Sequence, residues 1–349
     1  MNHPRKVDNQ ASPVPVPDPP SVGLTQSPRP DSSALTWQPH TVDVTERKGN
    51  PAAAAQHDGL RSELRSLGLE GGEVSIRRLP GGYVADVWLV TYIDGTRVVG
   101  KTVTNAPADM FRAEAEGLAA LRTTGRLQTP EVLAVTDRLI LLEALAARDD
   151  SESSWKAFAH DLAALHRGTV HDRFGWPRDG YLGRVVQQNP WTASGHEFFA
   201  QHRVLRYLDE PLVQQELTRA DRRALERFCE RLTELIPAMP AVLTHGDLWA
   251  GNLLSREDGR ITAIDPAVSY TWAEVDLSML WGCQRPPPSE RFFDLYQELN
   301  PSLPGWRERM PLLHVRELLS SMAHLGDTDG SARRLRRTLA PFYPASQQR

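Results

Sequence analysis

The sequence predicts an α+β fold of two lobes, a small antiparallel sheet crossed by one helix and a larger, mostly helical lobe. Three observations predict it. Short runs rich in Val, Leu, Ile and Tyr crowd the stretch between residues 84 and 142. Helical periodicity takes over from Ser154 onward. No internal repeat interrupts that order, and 349 residues allow one large domain or two modest ones.

The elements follow in sequence. Ten of the 27 prolines fall in residues 1–51, among Ser, Thr, Asp and Gln. Proline fixes φ and removes donors, and this company has little to bury, so residues 1–55 are expected to be a disordered tail. Val84–Ile93 reads as a strand, Asp94-Gly95 as a turn, and Arg97–Val103 as the returning strand. Pro107–Leu121 spaces Met110, Ala113, Gly117, Leu118 and Leu121 as a helix. Glu131–Thr136 and Arg138–Leu142 are two further short strands split by Asp137. Beyond Ser154, helices are predicted over Trp155–His166, Glu197–Leu208, Arg219–Leu235, Trp272–Trp281 and Pro311–Leu325. The expected division is a nucleotide-binding lobe over 56–143, a helical lobe with the catalytic loop over 144–330, and a C-terminal segment over 331–349.

Composition removes several classes of function. Forty basic residues against 44 acidic ones leave a net charge of −4, which offers no footprint for nucleic acid or an anionic membrane. No apolar run approaches the roughly 20 residues of a spanning helix. Arg5 and Lys6 lack the apolar stretch of a signal peptide behind them. Cys229 and Cys283 cannot build a disulfide framework and lack metal-ligand spacing. A soluble, cytoplasmic protein is expected, with neither nucleic acid nor membrane as partner.

The chemistry concentrates at His245-Gly246-Asp247-Leu248-Trp249-Ala250-Gly251-Asn252, followed after the strand-like Ile261–Ile264 by Asp265-Pro266. Phosphoryl transfer needs such a set. One carboxylate, Asp247, meets the acceptor hydroxyl, while the amide oxygen of Asn252 and the carboxylate of Asp265 hold the Mg²⁺ that bridges the nucleotide phosphates. Oxygen donors suit magnesium, and no His or Cys cluster points to zinc. Singly, these residues read as turn and cap residues; the joint spacing favours catalysis. His245 reads as an organiser of the loop.

A lysine for the phosphates is expected on an earlier strand, and Lys101 ends the apolar run Val98-Val99-Gly100. The chain has only four lysines among 40 basic residues, so a lysine on a strand points to a need for a compact ammonium. Glu114 and Glu116 offer it a partner on the next helix. Their directions differ, and Glu114 is the one expected to face inward. Gly81-Gly82 would bring backbone N–H groups to phosphate. Leu142, Glu143 and Ala144 lie where a linker between lobes would offer backbone groups to adenine. The result is an ATP- and Mg²⁺-dependent phosphotransferase with a protein-kinase-like constellation.

The wording of these motifs resembles the fructosamine kinase (ketosamine kinase) family. The resemblance rests on the His245–Asn252 loop with its Trp249, on Gly81-Gly82, on Met110–Leu118, on Phe174-Gly175-Trp176 through Gly183, Asn189, Trp191 and Glu197-Phe198-Phe199 to Arg203, and on Ile264–Ala267 continuing to Glu274, Asp276 and Leu277. It covers about residues 60–325. Tyr83 and Gly180 depart from the family pattern, which commonly has a small polar residue and an asparagine there.

The resemblance implies a protein-kinase-like fold and phosphorylation of a ketosamine at its 3-hydroxyl, after which the adduct falls apart and the amine is released, a deglycation. It implies Asp247 as the proton acceptor, Asn252 and Asp265 at Mg²⁺, Lys101 braced by Glu114 at the phosphates, and Trp249 and Trp191 as a wall for the sugar ring. Trp155, Trp176, Trp272 and Trp281 read as core. Fructosyl or ribulosyl, free or protein-bound acceptors, and the oligomeric state, all stay open at this level. So do an aminoglycoside- or amino-alcohol-type phosphotransferase and a nucleotide-binding interaction protein.

Overall fold

The computed structural model describes residues 51–69, 72–80 and 84–344. Residues 1–50 of the expected tail, Gly81-Gly82 and the last five residues lie outside that range. Helix α1 (Pro51–Ser66) starts inside the stretch read as tail. Pro51 at its first position and the Ala52–Ala55 run behind it favour helix, so residues 51–55, expected to belong to the tail, open a helix instead.

The first lobe is a five-stranded antiparallel sheet in the order β1-β2-β3-β5-β4. Its strands are β1 (Glu73–Leu79), β2 (Asp86–Tyr92), β3 (Arg97–Thr102), β4 (Val132–Val135) and β5 (Leu139–Glu143). The period of two sorts β5 cleanly. Val98 joins Trp88, Val90, Leu139 and Leu141 against Leu60 and Leu64 of α1. Ile140 and Leu142 pack on the opposite face against Phe111, Ala115 and Leu118 of α2 (Met110–Thr123), the predicted crossing helix. Sequence reasoning missed α1, which covers the other face of the sheet.

The second lobe begins with α3 (Glu152–Gly168) and a hairpin of β6 (Gly180–Leu182) and β7 (Val185–Gln187). Next come α4 (Gly195–Phe199), α5 (Pro211–Glu216), α6 (Arg219–Glu230) and α7 (Leu232–Leu235). Strands β8 (Val242–Thr244), β9 (Leu253–Ser255), β10 (Ile261–Ala263) and β11 (Ser269–Thr271) form two small ribbons, β8 with β11 and β9 with β10. Helices α8 (Ala273–Gly282), α9 (Ser289–Leu299), α10 (Trp306–Leu313), α11 (Val315–Leu325) and α12 (Ser331–Leu339) complete it.

Several predicted helices divide. Glu197–Leu208 holds the end of α4, a π-turn over Ala200–Val204 and a 3₁₀ turn. The π-turn carries Arg203, whose buried guanidinium reaches the Gln188 carbonyl, Asn189 and Ser269. Within the described part of the C-terminal segment, Ala332, Leu335 and Leu339 of α12 are buried in the core of the helical lobe. Among the described residues, no helix is long and apolar enough to cross a membrane.

Candidate active site

Backbone bonds zip the two loops of the predicted constellation together. The Ala267 N–H donates to the His245 carbonyl (2.9 Å) and the Ile264 N–H to the Asn252 carbonyl (3.0 Å). Gly246 sits between them at φ +78°, where a Cβ would lie 2.0 Å from the Ala267 carbonyl oxygen. Only glycine permits both that dihedral and that approach. Residues 22 and 12 positions apart in sequence thereby become neighbours.

Beneath the loop, Asp276 at the start of α8 accepts the backbone N–H groups of His245 (2.8 Å) and Gly246 (2.9 Å) and faces His166 (3.3 Å). Burial alone would raise its carboxyl; the bond and charge from His166, with those amides, hold it below the ordinary value. His245 is fully buried and organises the loop as expected. Its Nδ1 accepts the Asp247 N–H (3.2 Å), which leaves Nε2–H to donate to the Ile264 carbonyl (3.0 Å). Burial pushes the imidazole pKa down and favours the neutral ring. Arg316 of α11 braces the same loop from below, bonded to the Gly246 carbonyl and to Gln187.

The predicted polar residues converge on a cleft of about 1020 Å³ between the lobes. Lys101 reaches Glu114 Oε1 at 2.6 Å and Asp265 Oδ1 at 2.5 Å, joining sheet, crossing helix and catalytic loops. Burial would lower the Lys101 ammonium, but the charges of Asp265 and Glu114 overcome it and raise its pKa. Glu114 is the inward partner, as expected; Glu116 pairs instead with Arg178 (2.9 Å). Asp265 holds φ +57°, an uncommon conformation for a residue with a side chain and one that gathers at functional sites. Asn252 donates its amide to the Asp247 carboxylate (2.8 Å). Burial raises the Asp247 carboxyl well above its ordinary value, and the Glu317 charge adds to this.

Leu142, Glu143 and Ala144 line the same cleft with Val87, Val99, Leu254 and Ile264, an apolar slot with a backbone edge. The Glu143 side chain is committed elsewhere, to Arg256 (2.8 Å) and the Glu131 N–H (3.1 Å). Trp249 lines the cleft as well. Trp191 does not. It borders an adjacent shallow depression, stacked on His171 (4.9 Å) beneath the Arg173 guanidinium, and is corrected from the sugar wall to that surface. Trp176, read as core, is half-buried and lines the cleft in its place.

Sequence reasoning missed one wall of the cleft. His314, Glu317, Ser320, Ser321 and His324 line it at helical spacing. The only signal was that polar stripe along the predicted Pro311–Leu325 helix.

An ammonium tied to a crossing-helix carboxylate, facing a carboxylate–amide–carboxylate set across a cleft, defines a kinase-like phosphotransferase. The chain belongs to the fructosamine kinase family, whose profile matches residues 67–339. A probable ketoamine kinase of Synechocystis is 33% identical over 224 residues, 60% of this chain and 72% of that protein. The chloroplastic protein-ribulosamine 3-kinase of Oryza sativa subsp. indica is 28% identical over 267 residues, 74% of this chain and 77% of its own. A Thermobifida fusca crystal structure, described as a candidate fructosamine-3-kinase, superposes with a TM-score of 0.68 at 31% identity. It covers 76% of this chain and 94% of that one.

Proposed function

We propose that this chain moves the γ-phosphoryl of ATP to a sugar hydroxyl of a ketosamine, with Asp247 as proton acceptor and Lys101, braced by Glu114, at the phosphates. The observation that carries the reading is the Lys101 ammonium held between Glu114 and Asp265. Side chains as much as 164 positions apart meet at one point. Family membership supplies the acceptor class.

The oxygen donors fit Mg²⁺. Among the described residues no three or more His, Cys, Asp or Glu side chains cluster as a complete metal cage. Magnesium rarely uses one, taking one or two carboxylates with the substrate phosphates. Asn252 Nδ2 is spent on Asp247, which leaves its amide oxygen as the donor next to Asp265. These two residues would hold the ion, which when bound neutralises charge on the phosphates.

Asp247 receives the hydroxyl proton. Its raised pKa makes it a stronger base than an exposed carboxylate, and Asn252 fixes its orientation. Adenine occupies the apolar slot, its edge toward the backbone of Ala144. Gly81-Gly82 remain assigned to the phosphates by sequence alone, and Trp249 and Trp176 flank the acceptor. A cytoplasmic location belongs to this reading, since the cleft requires a compartment that holds ATP.

The test is ATP consumption against a panel of fructosyl- and ribulosyl-amines, amino alcohols and aminoglycosides. Turnover of a ketosamine is expected. Asp247→Asn should cut kcat by about 10³-fold while nucleotide binding survives. Turnover of an aminoglycoside with none of any ketosamine would overturn the acceptor; unchanged turnover in Asp247→Asn would overturn the catalytic role.

A further inference from the structure

Glu317 lines the cleft on the stripe of α11 that faces it, one turn from Ser320, Ser321 and His314. Its Oε2 is shielded from solvent and has no hydrogen-bond partner among the described residues. A shielded carboxylate oxygen left unpaired is costly, and natural proteins seldom keep one without a use.

The nearby cations do not satisfy it. Arg316 adjoins it in sequence, but neighbouring helical residues point apart, and that guanidinium bonds the Gly246 carbonyl and Gln187. His324 is spent on the Ser320 carbonyl (2.8 Å) and the Arg184 N–H (3.1 Å). Arg334 bonds Asp329 (3.3 Å) and Ser331 (3.2 Å). Glu317 therefore lines the cleft with one carboxylate oxygen left without a donor, in the same lining as Asp247, whose carboxyl feels the Glu317 charge more than that of any other residue.

Two carboxylates held near each other in a half-buried cleft call for a cationic occupant. A ketosamine is one, because its amine is protonated at neutral pH and only three carbons separate that nitrogen from the 3-hydroxyl. We propose that Glu317 binds the ammonium of the acceptor and so selects amine-bearing sugars over neutral ones. The inference rests on the ketosamine reading and deepens it. Asp247 meets the hydroxyl while Glu317 meets the nitrogen, which sets the sugar's direction in the cleft. An incoming ammonium also gives Glu317 the donor it lacks and offsets the repulsion between the two carboxyls.

The experiment compares a ketosamine with the matched ether, in which oxygen replaces the amine nitrogen. Glu317→Gln should raise KM for the ketosamine about 10- to 100-fold, the loss of a charge-assisted bond. KM for ATP should stay put, and so should KM for the ether. A purely structural role would move all three together. Equal KM values for the ketosamine in Glu317→Gln and wild type would overturn the proposal.

Should Glu317→Gln fail to fold, competition on the wild-type enzyme decides. A secondary-amine inhibitor should outcompete its ether counterpart about 10-fold or more, and equal inhibition refutes the subsite. Wild-type enzyme that turns over no ketosamine sinks the function and this inference together. Wild-type turnover that is blind to the amine sinks only the role of Glu317.

Discussion

Lys101 is the residue on which both lobes agree. Its side chain is 8% exposed and its ammonium is flanked by two carboxylates, so its charge is fixed in place before any nucleotide arrives. Lys101→Met removes that charge and leaves Glu114 and Asp265 repelling incoming phosphate. KM for ATP should rise about 10- to 100-fold, and nucleotide titration of the variant checks it. An unchanged KM would take Lys101 out of the phosphate site. The residue was legible because lysine is rare in this arginine-biased chain. Glu317 was not, because a single acid within an apolar frame looks like a solvated helix face. Only the cleft beside it and its unpartnered oxygen show otherwise.

At the scale of elements, the catalytic loop stands on α8 through one carboxylate. Asp276 satisfies two backbone N–H groups that the loop conformation would otherwise bury unpaired. Asp276→Ala should cost about 3 kcal/mol of stability, read by thermal or denaturant unfolding. Because its folded pKa is depressed, Asp276 contributes stability that is present above the unfolded carboxyl value near 3.9. That contribution is lost as pH falls through the lower folded value. The variant should therefore lack part of the acid-side loss of Tm seen in wild type, and an identical acid limb would contradict the assignment. The buried pair of Glu274 on α8 and Arg309 on α10 (2.5 and 2.7 Å) fixes the two helices against each other.

Element boundaries were less legible than element types. The strand pair around Asp94-Gly95 and the crossing helix stand close to where periodicity put them. The predicted helix over Pro311–Leu325 is two helices meeting at His314, and Pro311 lies inside the first. Proline there removes one donor and strains the turn before it. The short strands β8, β9 and β11 have three residues each, too few for periodicity to register.

Across the whole molecule, the hairpin of β6 and β7 straps the lobes together. Arg178, just before it, bonds Asp109 and Glu116 of the first lobe, and Tyr181 donates to Asp109 at 2.6 Å. These side chains are about half-exposed, so solvent screens them and their share of stability is small. Arg178→Ala should lower Tm by no more than about 3 °C. KM for ATP should nevertheless rise several-fold, because the lobes lose a tie that holds the cleft closed. High salt should bring wild type toward the variant, and a KM insensitive to both would remove the strap from function.

Local sequence determined the lobe order, the crossing helix, the catalytic loop and the lysine, because each rests on periodicity or on residue types only a few positions apart. Its motif wording also identified the family. Tertiary structure alone decided that α1 and α12 belong to the cores, that Trp176 rather than Trp191 borders the cleft, and that Glu317 lines the same cleft as Asp247. Those facts depend on which surfaces meet after the chain has closed on itself, and packing between distant segments leaves no period to read.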